Sequence, residues 1–223
     1  MTFQRARSAE QREERRRTIL DTARKMLDEM PVAEVSLNEL SRRVGLAKSN
    51  VLRYFESREA VLLELLDSAL HDWLAEATGE VAEGVDPDRP ARERAEAFAA
   101  VVSRSLARHT VLCDLIGAQA GVLEHNVSTD VVVRFKRSAL GSLDTMAGLL
   151  RSAVPEVGDS AASVCLLGMI LAGSLQTHCR PSPSALAAYA ADPALAALHL
   201  DLAPALTQGL TLLITGAMAA QMP

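Results

Sequence analysis

Two short apolar stripes meeting at Gly45 constrain this chain more than any other feature. Ile19, Leu20, Ala23, Met26, Leu27 and Met30 recur at helical spacing, which predicts a helix from about residue 10 to 29, stopped by Pro31. Ser36 then opens "SLNEL", where Glu39 three residues on makes a capping box and Leu37, Leu40 and Val44 form one buried stripe. Gly45 ends that helix. Ala47, Val51 and Phe55 recur at i, i+4 and i+8 to begin a third almost at once. Ser57 is an N-cap for a fourth, whose stripe of Leu62, Leu66, Ala69, Leu70, Trp73 and Ala77 is long enough to leave a small domain and enter another. A short helix, a tight turn and a second short helix, set against a longer one, make a helix-turn-helix.

The second short helix carries the chemistry. With Ala47, Val51 and Phe55 inward, 100° per residue puts Ser49 and Arg53 on the opposite face, flanked by Lys48, Asn50 and Leu52. Arg suits bidentate contact to guanine, Asn suits adenine, and a small Ser permits close approach. Tyr54 and Arg58 flank this face where phosphates would run, and Ser57 with the free N–H groups of the fourth helix offers another phosphate position.

Charge is divided along the chain in the same sense. The net charge is −5, but residues 1–60 hold 13 Lys/Arg against 10 Asp/Glu, and residues 61–223 hold 10 against 18. The first part suits a polyanion and the remainder does not. A protein that coats DNA for a structural purpose predicts a basic chain throughout, which this is not.

Beyond a break at "EGVDPDRP", helical patterns recur at about 91–108, 110–121, 127–153, 160–178 and 202–220, with a Pro/Ser/Ala-rich connection near 180–200. No segment alternates with period two for long, so the expected fold is all-α. Residues 160–179 and 202–223 contain no Asp, Glu, Lys or Arg. Each approaches the length of a membrane span, but Gln176, His178, Pro204, Gln208 and three threonines interrupt them, and neither Lys/Arg clusters nor an aromatic belt flank them. The expectation is a homodimer interface, two helices from each subunit forming a four-helix bundle with Gly168, Ala172, Gly209 and Gly216 at the close approaches.

The middle helices place polar groups among apolar ones. His109, Cys113, Gln119, Arg134 and Gln176, with His125 and His178, are the candidates for a small-molecule site. No H-E-x-x-H, no paired Glu-x-x-His, no Cys/His cluster and no phosphate-cradling glycine loop occurs, so no catalytic residue, metal or cofactor is expected, and a helical small-molecule-binding enzyme is the weaker alternative. Cys113, Cys165 and Cys179 form no disulfide framework, and "MTFQRARSAEQREERRR" has no apolar segment after its charges, so a cytoplasmic protein is expected.

The stretch "VSLNELSRRVGLAKSNVLRYFESREAVLLELL" resembles the DNA-binding segment of the tetracycline-repressor (TetR) family of bacterial transcription regulators, in detail from about residue 15 to 66. The resemblance implies a three-helix head, residues 1–56, joined by the fourth helix to a ligand-binding and dimerisation bundle, residues 57–223. It places Arg43 near the end of the second helix, Lys48, Ser49, Asn50, Arg53 and Tyr54 on the recognition helix, and Arg58 where a lysine usually opens the fourth. It also implies a double-stranded operator and a small-molecule effector as partners. Leu52 stands where the family commonly has a phosphate-contacting Tyr, and Ala47 where a Ser usually caps the recognition helix. The reading is a homodimeric regulator, a repressor that leaves a palindromic operator when ligand binds.

Overall fold

The computed structural model describes residues 2–221, with side chains from residue 10 onward. All regular elements among them are helical. The chain forms two compact units: Met1–Asp67 with Ala118–Phe135, and Ser68–Gly117 with Lys136–Pro223.

The first unit is built on α1 (Thr2–Glu29), α2 (Leu37–Val44), α3 (Lys48–Val51) and the start of α4 (Arg58–Gly84). Helix α1 begins well before residue 10, because "AEQREERRR" is rich in helix formers and sets the pair Glu13–Arg17 at i, i+4. Its buried stripe is Ile19, Ala23, Met26 and Leu27, and it ends ahead of Pro31. Helix α2 starts as expected: Ser36 Oγ accepts the Glu39 N–H at 3.2 Å, and Gly45 closes it in the left-handed region at φ 72°. The capping box is only half made. The Glu39 carboxylate turns away from Ser36 to accept from Arg42 at 2.6 and 2.8 Å and from Arg43 at 2.8 Å, since charged donors outcompete a backbone N–H.

Helix α3 is shorter than its periodicity suggests. After Val51 the backbone tightens, with Arg53 N–H on Asn50 C=O and Tyr54 N–H on Val51 C=O, before Phe55 N–H returns to Val51 C=O at 3.1 Å. Val51 and Phe55 are buried as the spacing required. Ala47 is not: it is the exposed N-cap, in extended backbone at ψ 145°, and so lies off the helical wheel, with no side-chain cap. Ser57 Oγ accepts the Ala60 N–H at 3.1 Å to start α4.

The second unit holds the rest of α4, α5 (Ala91–Arg108), most of α6 (Thr110–Ala118), the rest of α7 (Thr129–Ala153), α8 (Ala161–His178), α9 (Pro183–Ala191) and α10 (Leu202–Ala220). Helix α10 packs on α5 and α8, burying Leu206, Leu210 and Ile214. Helices α6 and α8 touch backbone to backbone. A Cβ on Gly117 would lie 2.8 Å from Gly173 O, and one on Gly173 would lie 2.6 Å from Gly117 N. The connection near 180–200 contains a helix after all, α9, because Ser182 caps it, Pro183 opens it and "ALAAYAA" favours it; none of its residues is buried.

Candidate nucleic-acid interface

Lys48, Ser49, Asn50 and Arg53 are all exposed on α3 and the turn after it, with Leu52 at 41% exposure beside them. Arg53 has no ion pair among the described residues, so its donors are available to a ligand. Tyr54 is half-buried. A concave face lined by Gln11, Arg12, Glu14, Arg15 and Thr18 of α1 shares Arg53 and Tyr54, extending positive charge along α1.

Arg43 and Arg58 are committed within the unit. Arg43 donates to Glu29 at 2.7 Å and to Glu39 at 2.8 Å, bracing the end of α1 against α2. The hydrogen bonds from Arg42 and Arg43 hold the Glu39 carboxyl down at about 2. Arg58 donates to Val35 C=O at 3.0 Å and pairs with Glu59 at 3.0 Å, tying the start of α4 to the approach to α2. Both residues position the reading helix, and either must share its partners to meet a phosphate.

The residue that the sequence left unremarked is Arg16. Its Nη1 donates to Tyr54 C=O at 3.0 Å, its Nε to Glu64 at 3.1 Å, and its guanidinium carbon lies 4.4 Å from the centre of the Phe55 ring. One side chain of α1 thus holds the turn after α3 and the first turns of α4. Burial raises the Glu64 carboxyl above its ordinary range, against the pull of Arg16. The available signal was Arg16 lying one turn before the buried Ile19 in "REERRRTIL".

The polar candidates for a small-molecule site fall in both units. Gln119 lies in a π-helical turn, Gln119–Leu123, and donates to Glu124 at 2.8 Å; Arg134 is exposed; both belong to the first unit. In the second unit His109 sits at the end of α5, its Nδ1 2.9 Å from Ser105 O and its Nε2 3.2 Å from Glu76. Cys113 is buried, its Sγ 3.5 Å from Leu106 O and its thiol pushed up to about 12 by burial. Gln176 is buried, and its Nε2 has no hydrogen-bond partner among the described residues. An apolar void in the same unit, bordered by Trp73, Phe98, Leu106, Met146, Cys165 and Ile214 among others, has none of these five on its walls. Among the described residues no three His, Cys, Asp or Glu side chains gather as a metal site.

Comparison with known proteins places the boundary between two family models beside Asp67, with residues 118–135 of the first unit inside the second model. Residues 19–65 match the family model described as bacterial regulatory proteins, tetR family, and residues 67–221 match tetracyclin repressor-like, C-terminal domain. The transcriptional regulator EthR of Mycobacterium tuberculosis is 37% identical over 59 residues, 26% of this chain and 27% of that protein. Its counterpart in Mycolicibacterium smegmatis is 38% identical over 55 residues, 25% of each chain. The chain therefore spans about a quarter of the length of the curated relatives it matches. A TetR transcriptional regulator from Rhodococcus sp. RHA1 shares the fold with TM-score 0.58 at 12% identity, over 92% of this chain and 95% of that one. PfmR from Thermus thermophilus does so with TM-score 0.52 at 17% identity, over 88% and 97%. Family models matching residues 19–65 and 67–221 between them make this chain a member of the tetR family of bacterial regulatory proteins.

Proposed function

We propose that this chain is a cytoplasmic, homodimeric repressor that binds a palindromic operator and is released from it by a small molecule. The observation that carries the reading is the exposure of Lys48, Ser49, Asn50 and Arg53 together on one short helix and the turn after it, that turn being braced from behind by Arg16. Lys48 and Tyr54 contact phosphates, and Ser49, Asn50 and Arg53 meet base edges; Arg43 and Arg58 hold the reading helix and share charge with the backbone. The head ends near residue 56, and residues 57–223 bind the effector and the second subunit.

Dimerisation is supported by α8 and α10. Both are long and apolar enough, by length and composition, to cross a membrane. Leu166, Leu167, Ile170 and Leu212 are each about half exposed or more, an apolar face that a second copy of the same helices would cover. Two heads then dock in successive major grooves when their reading helices are about 34–36 Å apart. Helix α4 runs in sequence from the head into the larger unit, so a ligand that displaces its C-terminal part alters that spacing. A coupling of about 1–3 kcal/mol weakens operator binding 5- to 150-fold, and DNA weakens ligand binding equally.

The test is a titration of inverted repeats from the chain's own upstream region, with and without a ligand already shown to bind. Weaker operator binding with ligand is expected. Equal or tighter binding excludes ligand-released repression.

A further inference from the structure

The walls of the void in the larger unit say what kind of effector it takes. Trp73 of α4, Phe98 and Leu106 of α5, Met146 of α7, Cys165 of α8 and Ile214 of α10 face one space, and no lining residue is Asp, Glu, Lys, Arg or His. The indole N–H is already used, donating to Ser105 Oγ at 3.2 Å. Burial pushes the Cys165 thiol up to about 11, so it is neutral at physiological pH. A charged group placed here would lose its water and gain no counter-charge. The free space is about 40 Å³, little more than one water molecule, so a ligand enters by displacing side chains, and Met146 and Met169 are the flexible ones.

A second feature lies farther along the same ridge of α8. Val164, Gly168, Ala172 and Gln176 recur every fourth residue, and all four are buried. The first and second of these line the void; the last, 3% exposed, presents an amide nitrogen with no hydrogen-bond partner among the described residues. From Gly168 to Gln176 is two turns and more, about 12 Å along the axis. A buried amide left without a partner is rare enough to need a reason. Ligand chemistry supplies one.

We propose that the effector is an uncharged, elongated molecule whose apolar body lies between Trp73 and Cys165 and whose single hydrogen-bonding group, such as a ketone, ester or alcohol, is taken by Gln176. This deepens the reading of the larger unit as the effector domain and rests on it. A carboxylate or ammonium of the same length would lose its water beside the buried, uncharged Gln176 amide, and a purely apolar molecule leaves Gln176 unanswered.

Trp73 is the one tryptophan of the chain, so intrinsic fluorescence reports on this void directly. The full-length protein is titrated with 2-undecanone, undecanoate and undecylammonium below their aggregation limits. Saturable change with the ketone is expected, with both charged homologues at least about tenfold weaker. Gln176→Leu and the near-isosteric Gln176→Met should each weaken the ketone several-fold. Alkylation of Cys165, followed by mass mapping, should slow in the presence of ketone, whereas Cys179 should be unaffected; this readout uses the unaltered protein, so the proposal stays testable if a variant fails to fold. Undecanoate or undecylammonium binding as tightly as the ketone, full ketone affinity in a folded Gln176 variant, or an unmoved Trp73 with unprotected Cys165 overturns the proposal. Failure of the regulator reading looks different: ketone binds at Trp73 and operator affinity does not change.

Discussion

The Arg16 guanidinium stacks over the Phe55 ring at 4.4 Å while its Nη1 donates to the carbonyl of the neighbouring Tyr54. Phe55 is buried and Arg53 exposed, so the same turn is gripped on one side and presented on the other. Arg16→Ala removes the grip and leaves Glu64 half-buried without its cation. A stability loss of about 1–3 kcal/mol is expected in chemical denaturation, with weaker binding to all DNA. Arg16→Lys should recover only part of it, because an ammonium cannot hold Glu64, Tyr54 C=O and the ring face together.

Arg53 and Arg58 should separate in their effects. Arg53→Ala takes away an exposed, uncommitted donor and should cost about 1–3 kcal/mol on the operator, relaxing one position per half-site, with an unchanged melting temperature. Arg58→Ala removes the hydrogen bond to Val35 C=O and should lower the melting temperature and weaken all sequences alike. Operator competition assays beside calorimetry distinguish them. An Arg53 variant with full operator affinity would sink its assignment as a reader.

Acid should loosen α2 through Glu39. Its folded carboxyl sits near 2, below the ordinary 4.5, so its contribution to stability is present above about pH 4.5 and disappears as pH falls toward 2. The stability difference between the wild type and Glu39→Gln should therefore be widest near neutrality and shrink across that window. Glu64 runs the other way. Its carboxyl is raised by burial, so stability from that group is present at low pH and lost as pH rises through its folded value. A Glu39 difference that stays flat from pH 6 to 2.5 would contradict the assignment.

The interface reading predicts a clean change of assembly. Leu212 is 66% exposed on the subunit surface, so Leu212→Glu should leave the subunit folded. In a dimer that buries this face the new carboxylate is unpaired and should cost about 3–5 kcal/mol of association. Sedimentation should show dimer for the wild type and monomer for the variant at micromolar concentration. A monomeric wild type ends the interface reading.

The α6–α8 crossing can be tested through its glycines. Gly117→Ala or Gly173→Ala drives a methyl into facing backbone and should cost about 1–3 kcal/mol. Gly148→Ala, on α7 with nothing within 4 Å of the new atom, should instead gain about 0.5–1 kcal/mol from helix propensity. Thermal unfolding of the three variants gives the comparison directly.

Much of this protein follows from the order of its residues alone. The caps at Ser36 and Ser57, the left-handed Gly45, the buried stripes of α1 and α4 and the buried Leu40 of α2 depend on neighbours within a few positions, and periodicity exposes them. So does the exposed set Lys48, Ser49, Asn50 and Arg53. What only the tertiary structure decided is where each long side chain spends its donors. Arg16 meets Tyr54 and Glu64, 38 and 48 residues away, and Arg58 meets Val35, 23 residues back. The truncation of α3 and the outward Ala47 likewise depend on how Phe55 seats against α1, which a wheel of uniform pitch does not contain. The spacing of the middle helices marks their polar residues as ligand candidates, yet the void of the larger unit is walled by Trp73, Phe98 and their apolar neighbours. Apolar residues are too common for sequence to tell a cavity wall from a packed core. The difference lies in whether helices α4, α5, α7, α8 and α10 close fully on one another, and packing alone settles that.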